Sequence, residues 1–233
     1  MIKHIIKTKQ DEDKIIKLSS QLKIENKQPE TYKGIVVPKP WGSEFLFYED
    51  RYISGWFLSI ESGHSTSMHC HPNKRTVLVM LSGKALGRTL YGSSIINAGE
   101  IVVYEAGVLH RTKALTKIEM AEIESPPIKT DLLRLEDSYG REKMGYEDKK
   151  TMVKSCEYFY LDDEKPLFSQ KHYVITLGNV IKQGEINIIG ENKSELIPNS
   201  CILEDTDIEL ENSNVLRFKF PLKENLYECR KCI

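Results

Sequence analysis

From residue 33 onward the chain is written as short apolar runs cut off by turn residues, and this texture restricts the fold more than any other feature. The runs are GIVV, SEFLFYE, GWFLSIE, TVLVML, ALGRTLYG, SIINAG, IVVYEAG and IEMAEIE. They are short for helices and rich in branched and aromatic side chains, which suit a pleated, half-buried surface. Many short strands at close spacing indicate an all-β sandwich or barrel. A second series follows, HYVITLG, EINIIGE, SCILEDT and VLRFKFPL. It echoes the first, since TVLVMLSGKALG and YVITLGNVIKQG each set an apolar strand before a glycine turn, but its later half carries no histidine. An internal duplication whose second copy lost its polar site gives this pattern, and so does additional β structure with ordinary turns. The chain is expected to divide into an N-terminal appendage (1–32), a barrel domain (33–141), a connection (142–171) and a degenerate second β unit (172–233). Within the appendage, Ile15, Ile16, Leu18 and Leu22 follow a helical period after Asp11-Glu12-Asp13, an acidic run that suits a helix N-terminus.

Composition excludes several classes of function. With 33 basic and 34 acidic residues among 233, the formal net charge is −1, against the basic stripe that a nucleic-acid partner requires. No apolar run approaches the length of a membrane span, and MIKHIIKTKQDEDK is too charged for a signal-peptide core. Five cysteines (Cys70, Cys156, Cys201, Cys229, Cys232) at irregular spacings read as a reducing, cytoplasmic protein rather than a disulfide framework. Cys229 and Cys232 form a lone CxxC without the second pair that a zinc site needs.

The stretch GHSTSMHCHPNKRTVLVMLSG sets His69 and His71 one residue apart before an apolar strand. Residues two apart on a strand share a face, so both imidazoles project the same way and Cys70 projects the other. A shared metal satisfies two inward histidines at once; a pair on an exposed strand is the alternative.

Gly63-x5-His69-x-His71, then Thr76 and Gly83, resembles the first motif of the cupin superfamily, and Gly99-x5-Glu105-x-Gly107-x2-His110 resembles the second. The resemblance implies a jelly-roll barrel in which His110 joins His69 and His71 around one divalent metal. Two positions depart from the pattern: Thr76 stands where the motif has a glutamate, and Glu105 where it has a proline. A narrower resemblance, over residues 37–141, is to the cupin domain of type II mannose-6-phosphate isomerases. It is carried by Lys39-Pro40-Trp41-Gly42 and by Arg134, Glu136, Asp137, Tyr139, Gly140 and Arg141. Ser67 replaces a glutamine of that family. The resemblance implies a homodimer and action on a sugar phosphate or related carbohydrate in surface-polysaccharide metabolism.

Three neutral imidazoles with an open position suit Zn, Fe, Ni or Cu, and without a carboxylate they suit Mn or Mg less well. The centre would then be more positive and favour an anionic oxygen donor. Thr76 is expected to hold a water or substrate hydroxyl, and Arg88 and Lys113 to pair with a phosphate. Glu61 and Glu105 are the candidates for the base of an aldose–ketose isomerisation. His64 is expected in an exposed turn, and Trp41 and Tyr139 as packing residues. His4 and His172 have no company. Three functions remain open: a sugar-phosphate isomerase, a three-histidine Fe(II) dioxygenase, and a non-catalytic sugar-binding protein with two cupin units.

Overall fold

The computed structural model describes residues 2–20, 26–155, 158–183, 185–189, 197–198, 208–209 and 214–220. Strand β1 (Ile2–Ile5) and helix α1 (Lys9–Ser19) open the chain. The barrel strands are β2 (Ile35–Lys39), β3 (Gly42–Glu49), β4 (Ser54–Ile60), β5 (Met68–Cys70), β6 (Arg75–Ser82) and β7 (Lys84–Thr89). They continue with β8 (Ser93–Asn97), β9 (Ile101–Tyr104), β10 (His110–Ala114), β11 (Ile118–Ser125), β12 (Leu133–Glu136) and β13 (Val153–Lys154). An eight-stranded sheet runs β1-β9-β6-β11-β4-β3-β2-β13, and a five-stranded sheet runs β12-β5-β10-β7-β8. From β4 onward the chain passes back and forth between them, which makes the jelly-roll barrel. Gly83 turns the chain from the larger sheet into the smaller at φ +79, where a Cβ would lie 2.3 Å from the Lys117 carbonyl oxygen.

Strand parity sorts the side chains into three apolar layers. Between the sheets lie Leu46, Trp56, Leu58, Ile60, Leu78, Met80, Val102, Tyr104 and Met120 from the larger sheet, with Ala85, Ile96 and Ala114 from the smaller. The outer face of the larger sheet presents Phe47, Phe57, Val77, Val79, Val103, Ala121 and Ile123. The outer face of the smaller sheet presents Met68, Cys70, Leu109 and Leu133, and Leu18 of α1 covers them.

Within the expected appendage, residues 2–19 are integral to the barrel. β1 pairs in parallel with β9, and α1 closes the outer layer of the smaller sheet. Thr8 and Asp11 form a capping box at the helix start. Asp11 is fully buried, and its other carboxylate oxygen accepts from the Leu109 amide at 3.0 Å, beside His110. The acidic run thus serves as helix cap and as tether to β10.

The outer face of the larger sheet is covered by the C-terminal segment. Its strands are β14 (Leu167–Gln170), β15 (Tyr173–Gly178), β16 (Val180–Ile181), β17 (Ile186–Ile189), β18 (Ile197–Pro198), β19 (Ile208–Glu209) and β20 (Val215–Lys219). They form a five-stranded sheet, β14-β15-β20-β17-β18, and the pair β16-β19. Tyr173, Ile175, Leu177, Ile186, Ile188, Leu216 and Phe218 pack on the barrel. The expected second β unit is present as one layer. Among the described residues it does not repeat the eight-and-five arrangement of the barrel. Its first strand begins at Leu167, inside the expected connection. Much of the suspected repeat (190–196, 199–207, 210–213) and the Cys229/Cys232 pair lie outside the described residues, as do Cys156 and Cys201.

Substituting Asp11→Ala should cost about 2–3 kcal/mol, because it removes the helix cap and strands the buried Leu109 amide. Glu12→Ala, which breaks only an exposed pair with Lys7, should cost well under about 1 kcal/mol. Urea denaturation of the two variants checks the difference.

Candidate metal centre

The histidines meet because two strands of the smaller sheet are neighbours. His69 on β5 pairs in register with His110 on β10, so both face the interior. His71 lies two residues on and shares that side. Ring centroids are 4.5 Å apart for His69 and His110, 5.0 Å for His69 and His71, and 5.7 Å for His71 and His110. Each ring is held through Nδ1 by a backbone carbonyl: Ser67 for His69 at 2.9 Å, Asp131 for His71 at 2.6 Å, and Val108 for His110 at 2.9 Å. These contacts select the Nδ1–H tautomer and leave Nε2 as the donor, the usual orientation of metal-bound imidazoles. Tyr104 stacks on His110 at 4.1 Å and 10° between planes.

The fourth member comes from β11 in the facing sheet. Glu122 is buried, and one ligand atom from each of His69, His71, His110 and Glu122 lies within 4.8 Å of the others. Nε2 of His71 is 4.0 Å from a Glu122 oxygen and is buried with no hydrogen-bond partner. An orphaned, dry imidazole nitrogen facing a carboxylate is what a ligand set looks like without its ion. The residues fit a divalent metal. The set is three imidazoles and one carboxylate, not the expected carboxylate-free trio. Mn therefore joins Zn, Fe, Ni and Cu as a metal it suits, and the expected surplus charge from a missing carboxylate is withdrawn.

Burial drives the protonation of these groups. It lowers His69 and His71 well below the ordinary imidazole range, helped by the neighbouring cations and rings, and it takes His110 down to about 4. Burial, reinforced by the Glu124 charge, raises Glu122 to about 7. Without metal the cluster is close to neutral.

The cavity beside these ligands measures about 50 Å³, room for a few waters or one small ligand. Lys39, Glu44, Glu124, Lys129, Arg134, Arg141, Tyr146, Thr66, Ser67 and Thr112 line it further. Its ionic members form a chain of contacts. Lys74 Nζ donates to Glu124 at 2.6 Å, and Lys129 lies 4.0 Å from Glu124 and 3.2 Å from Glu44. Lys39 lies 3.3 Å from Glu44 and pairs with Glu147, which also meets Arg141 at 2.8 Å and Arg134 at 3.4 Å. Arg141 closes on Asp137 at 2.9 Å. The Lys129 ammonium sits over the Trp56 ring at 3.6 Å. Burial would raise Glu44, but Lys129 and Lys39, with the Tyr146 hydroxyl, overcome it and hold the carboxyl at about 2.

Several expected site residues stand elsewhere. Arg88 and Lys113 are exposed on the outer face of the smaller sheet, because Thr112 and His110 take the inward parity on β10. Neither lines the cavity. Glu61 is exposed and pairs with Lys117 at 2.7 Å. Glu105 is tied to Arg75 at 2.8 Å and to His4, which gives that histidine its partner. Neither glutamate reaches the cavity as a base. Thr76 faces inward opposite Glu124 and Tyr104, with its hydroxyl buried and without a partner, but it does not line the cavity. Cys70 is buried on the far side of β5, under α1. His64 is exposed and stacks on Tyr139, while Trp41 belongs to the interior layer and Tyr139 packs against it. His172 is exposed.

Sequence reasoning missed Glu122, and with it Glu44, Lys74, Glu124, Lys129 and Tyr146. The one signal for Glu122 was the alternation in IEMAEIES, where Met120, Glu122 and Glu124 share a face against Ala121 and Ile123. That alternation reads as a strand with its glutamates in solvent. Register places Glu122 and Glu124 on the inner face with Met120, while Ala121 and Ile123 pack in the layer shared with the C-terminal sheet.

No protein-family model matches the chain, and no curated protein matches it. Solved structures resembling it include an uncharacterised conserved protein with a double-stranded β-helix domain from Klebsiella pneumoniae, 15% identical over 40% of this chain and 84% of that one, with a TM-score of 0.37. KdgF from Halomonas sp. is 13% identical over 43% and 87%, with a TM-score of 0.35. A cupin-2 domain-containing protein from Shewanella frigidimarina is 20% identical over 35% and 78%, with a TM-score of 0.33. None of these three is named as a mannose-6-phosphate isomerase.

His71→Ala and Glu122→Gln should each lower metal affinity at least about tenfold, read by elemental analysis after dialysis, while Cys70→Ser should leave it unchanged. Acid should also unfold the metal-free protein. Each histidine with a lowered native pKa contributes stability that is complete above about pH 6.5 and lost as the pH falls through the native value. For His110 alone, between about 6.5 and about 4, that is about 3 kcal/mol. Glu122 acts oppositely, contributing stability below about pH 4.5 that is lost as pH rises through about 7. Three imidazoles outweigh one carboxyl, so Tm in chelator should fall steeply from pH 6.5 to 4.

Proposed function

We propose that this chain is a metal-dependent enzyme of isomerase type, acting by proton transfer on a small oxygen-rich carbonyl compound such as a sugar phosphate or related carbohydrate. The observation that carries the reading is the meeting of three imidazoles and Glu122 with proton-carrying side chains around one cavity. A divalent ion held by His69, His71, His110 and Glu122 would supply a Lewis acid for a carbonyl or hydroxyl oxygen. The protein's own side chains supply the rest. Glu44 is pinned by two lysines and Tyr146 and makes a poor base. Glu124 lines the cavity two residues from Glu122 on the same face of β11, which places its carboxylate to take a proton removed beside the carbonyl. Lys74, bonded to it at 2.6 Å, holds that carboxylate in place. The apolar layer beneath the cavity lines one side of it with Leu58, Leu78 and Met120. The glutamate in the ligand set removes the feature that favoured a three-histidine dioxygenase.

In deuterated water the metal-loaded protein should place deuterium next to the carbonyl of mannose 6-phosphate or a smaller aldose or ketose phosphate. Glu124→Gln should slow that exchange by about 10²-fold or more with metal content unchanged. No exchange across a broad panel, at full metal occupancy, excludes the enzyme and leaves a ligand-binding barrel.

A further inference from the structure

Two arginines line the cavity, and they differ in how their guanidinium groups are used. Arg141 is saturated: Nε and Nη2 grip both oxygens of Asp137 at 3.0 and 2.9 Å, and Nη1 bonds Glu147 at 2.8 Å. Arg134 is held only from behind. Its Nη1 donates to the carbonyls of Met144 and Gly145, and its Nη2 has only a long 3.4 Å contact with Glu147. Its Nε is buried and has no acceptor, although the side chain is 3% exposed. The Nε–Nη2 edge, which Arg141 uses to hold a carboxylate side-on, is open on Arg134.

Arg134 lines the same cavity as the candidate metal ligands. Arg134 on β12 pairs in register with His69 on β5, so the two side chains leave neighbouring strands on the same interior face. The charge of the interior points the same way. Lys39, Lys74, Lys129, Arg134 and Arg141 face Glu44, Glu124, Glu147 and Asp137 in one chain of contacts, an excess of one cation. A divalent ion on ionised Glu122 adds one more positive charge. Uncompensated charge in a dry cavity is costly, and an anionic ligand removes the cost.

We propose that Arg134 is a ligand-binding residue that grips a carboxylate of the substrate side-on, while an adjacent oxygen of the same molecule lies at the metal centre. The ligand is then a small hydroxy-carbonyl compound whose anionic group is a carboxylate rather than a phosphate, and glycolate is the smallest probe of that carboxylate-and-hydroxyl pair. This rests on the metal-centred reading above and narrows its substrate class.

The test is calorimetric titration of zinc-loaded protein with glycolate and with its neutral analogue glycolamide. Glycolate should bind at least about tenfold more tightly, and Arg134→Gln should abolish the preference at unchanged zinc stoichiometry. If Arg134→Gln does not fold, Arg134→Lys keeps the charge without the side-on edge and should lose most of the preference. Equal binding of glycolate and glycolamide by the wild type overturns the proposal, as does a preference that survives in either variant. Tighter binding of inorganic phosphate than of glycolate overturns the carboxylate assignment. Arg134-dependent glycolate binding without any deuterium exchange supports this subsite and discards the isomerase; failure to take up zinc discards the metal-centred reading itself.

Discussion

The interior of this barrel depends on the pairing of buried charge. An ammonium, guanidinium or carboxylate removed from water costs several kcal/mol unless an opposite charge and hydrogen bonds replace the solvent. Lys74 and Glu124 are almost wholly enclosed, and Lys39, Glu44, Lys129 and Arg134 nearly so. Each is tolerable only because the next member of the chain touches it. The chain spans β2, β3, β6's approach, β11, β12 and the segment after it, so the ionic contacts also fix where these elements sit relative to one another. Glu122 stands apart: among the described residues no lysine or arginine pairs with it directly, and burial with the Glu124 charge outweighs the more distant Lys129 and Lys74 and lifts its pKa to about 7. It is the interior carboxylate left available to an ion.

The remainder of the interior is arranged to hold that carboxylate opposite three imidazoles. The histidines are fixed by main-chain carbonyls, which side-chain motion cannot withdraw. Asp131 illustrates the economy of this arrangement. Its carbonyl fixes His71, while its carboxylate takes the Asn73 amide and side chain, each at 2.8 Å. The same loop supplies the Ile128 carbonyl to Lys74 at 3.0 Å and places Lys129 in the cavity. One loop therefore orients a metal ligand, caps a buried lysine and furnishes a cavity cation.

How much of this was legible in the sequence follows from the same physics. The barrel was legible because alternation and turn residues are local signals, and the inward sharing of His69 and His71 followed from parity alone. The N-terminal strand was not legible. IKHI is short and acquires its meaning from pairing with β9, a contact about a hundred residues away in sequence. Arg88 and Lys113 were misplaced because a basic residue on a barrel strand has either parity until its register is known. Register with His110 and Thr112 sends both outward. Glu122 was unreadable for a different reason. Its strand mixes acidic and apolar residues on both faces, Ile118, Met120, Glu122 and Glu124 on the inner and Glu119, Ala121 and Ile123 on the outer, so the pattern does not say which glutamates enter the interior. Here both sides are dry.

That second dry side gives the C-terminal layer a part in placing Glu122 without a histidine cluster of its own among the described residues. β11 lies between β4 and β6, with Glu122 on its inner face and Ala121 and Ile123 on its outer face. The outer pair packs in the layer that contains Tyr173, Ile175, Ile188 and Phe218, and the Tyr173 hydroxyl lies 3.3 Å from Glu119 on β11. Exposing that layer to water would put a broad apolar face of the larger sheet in solvent. The C-terminal sheet therefore supports, from the far side, the strand that carries Glu122. Parity does the rest, because a one-residue slip of β11 would exchange Glu122 for Ala121 or Ile123 in the centre. The place of Glu122 beside the three imidazoles thus rests in part on packing outside the barrel, among residues that do not line the cavity.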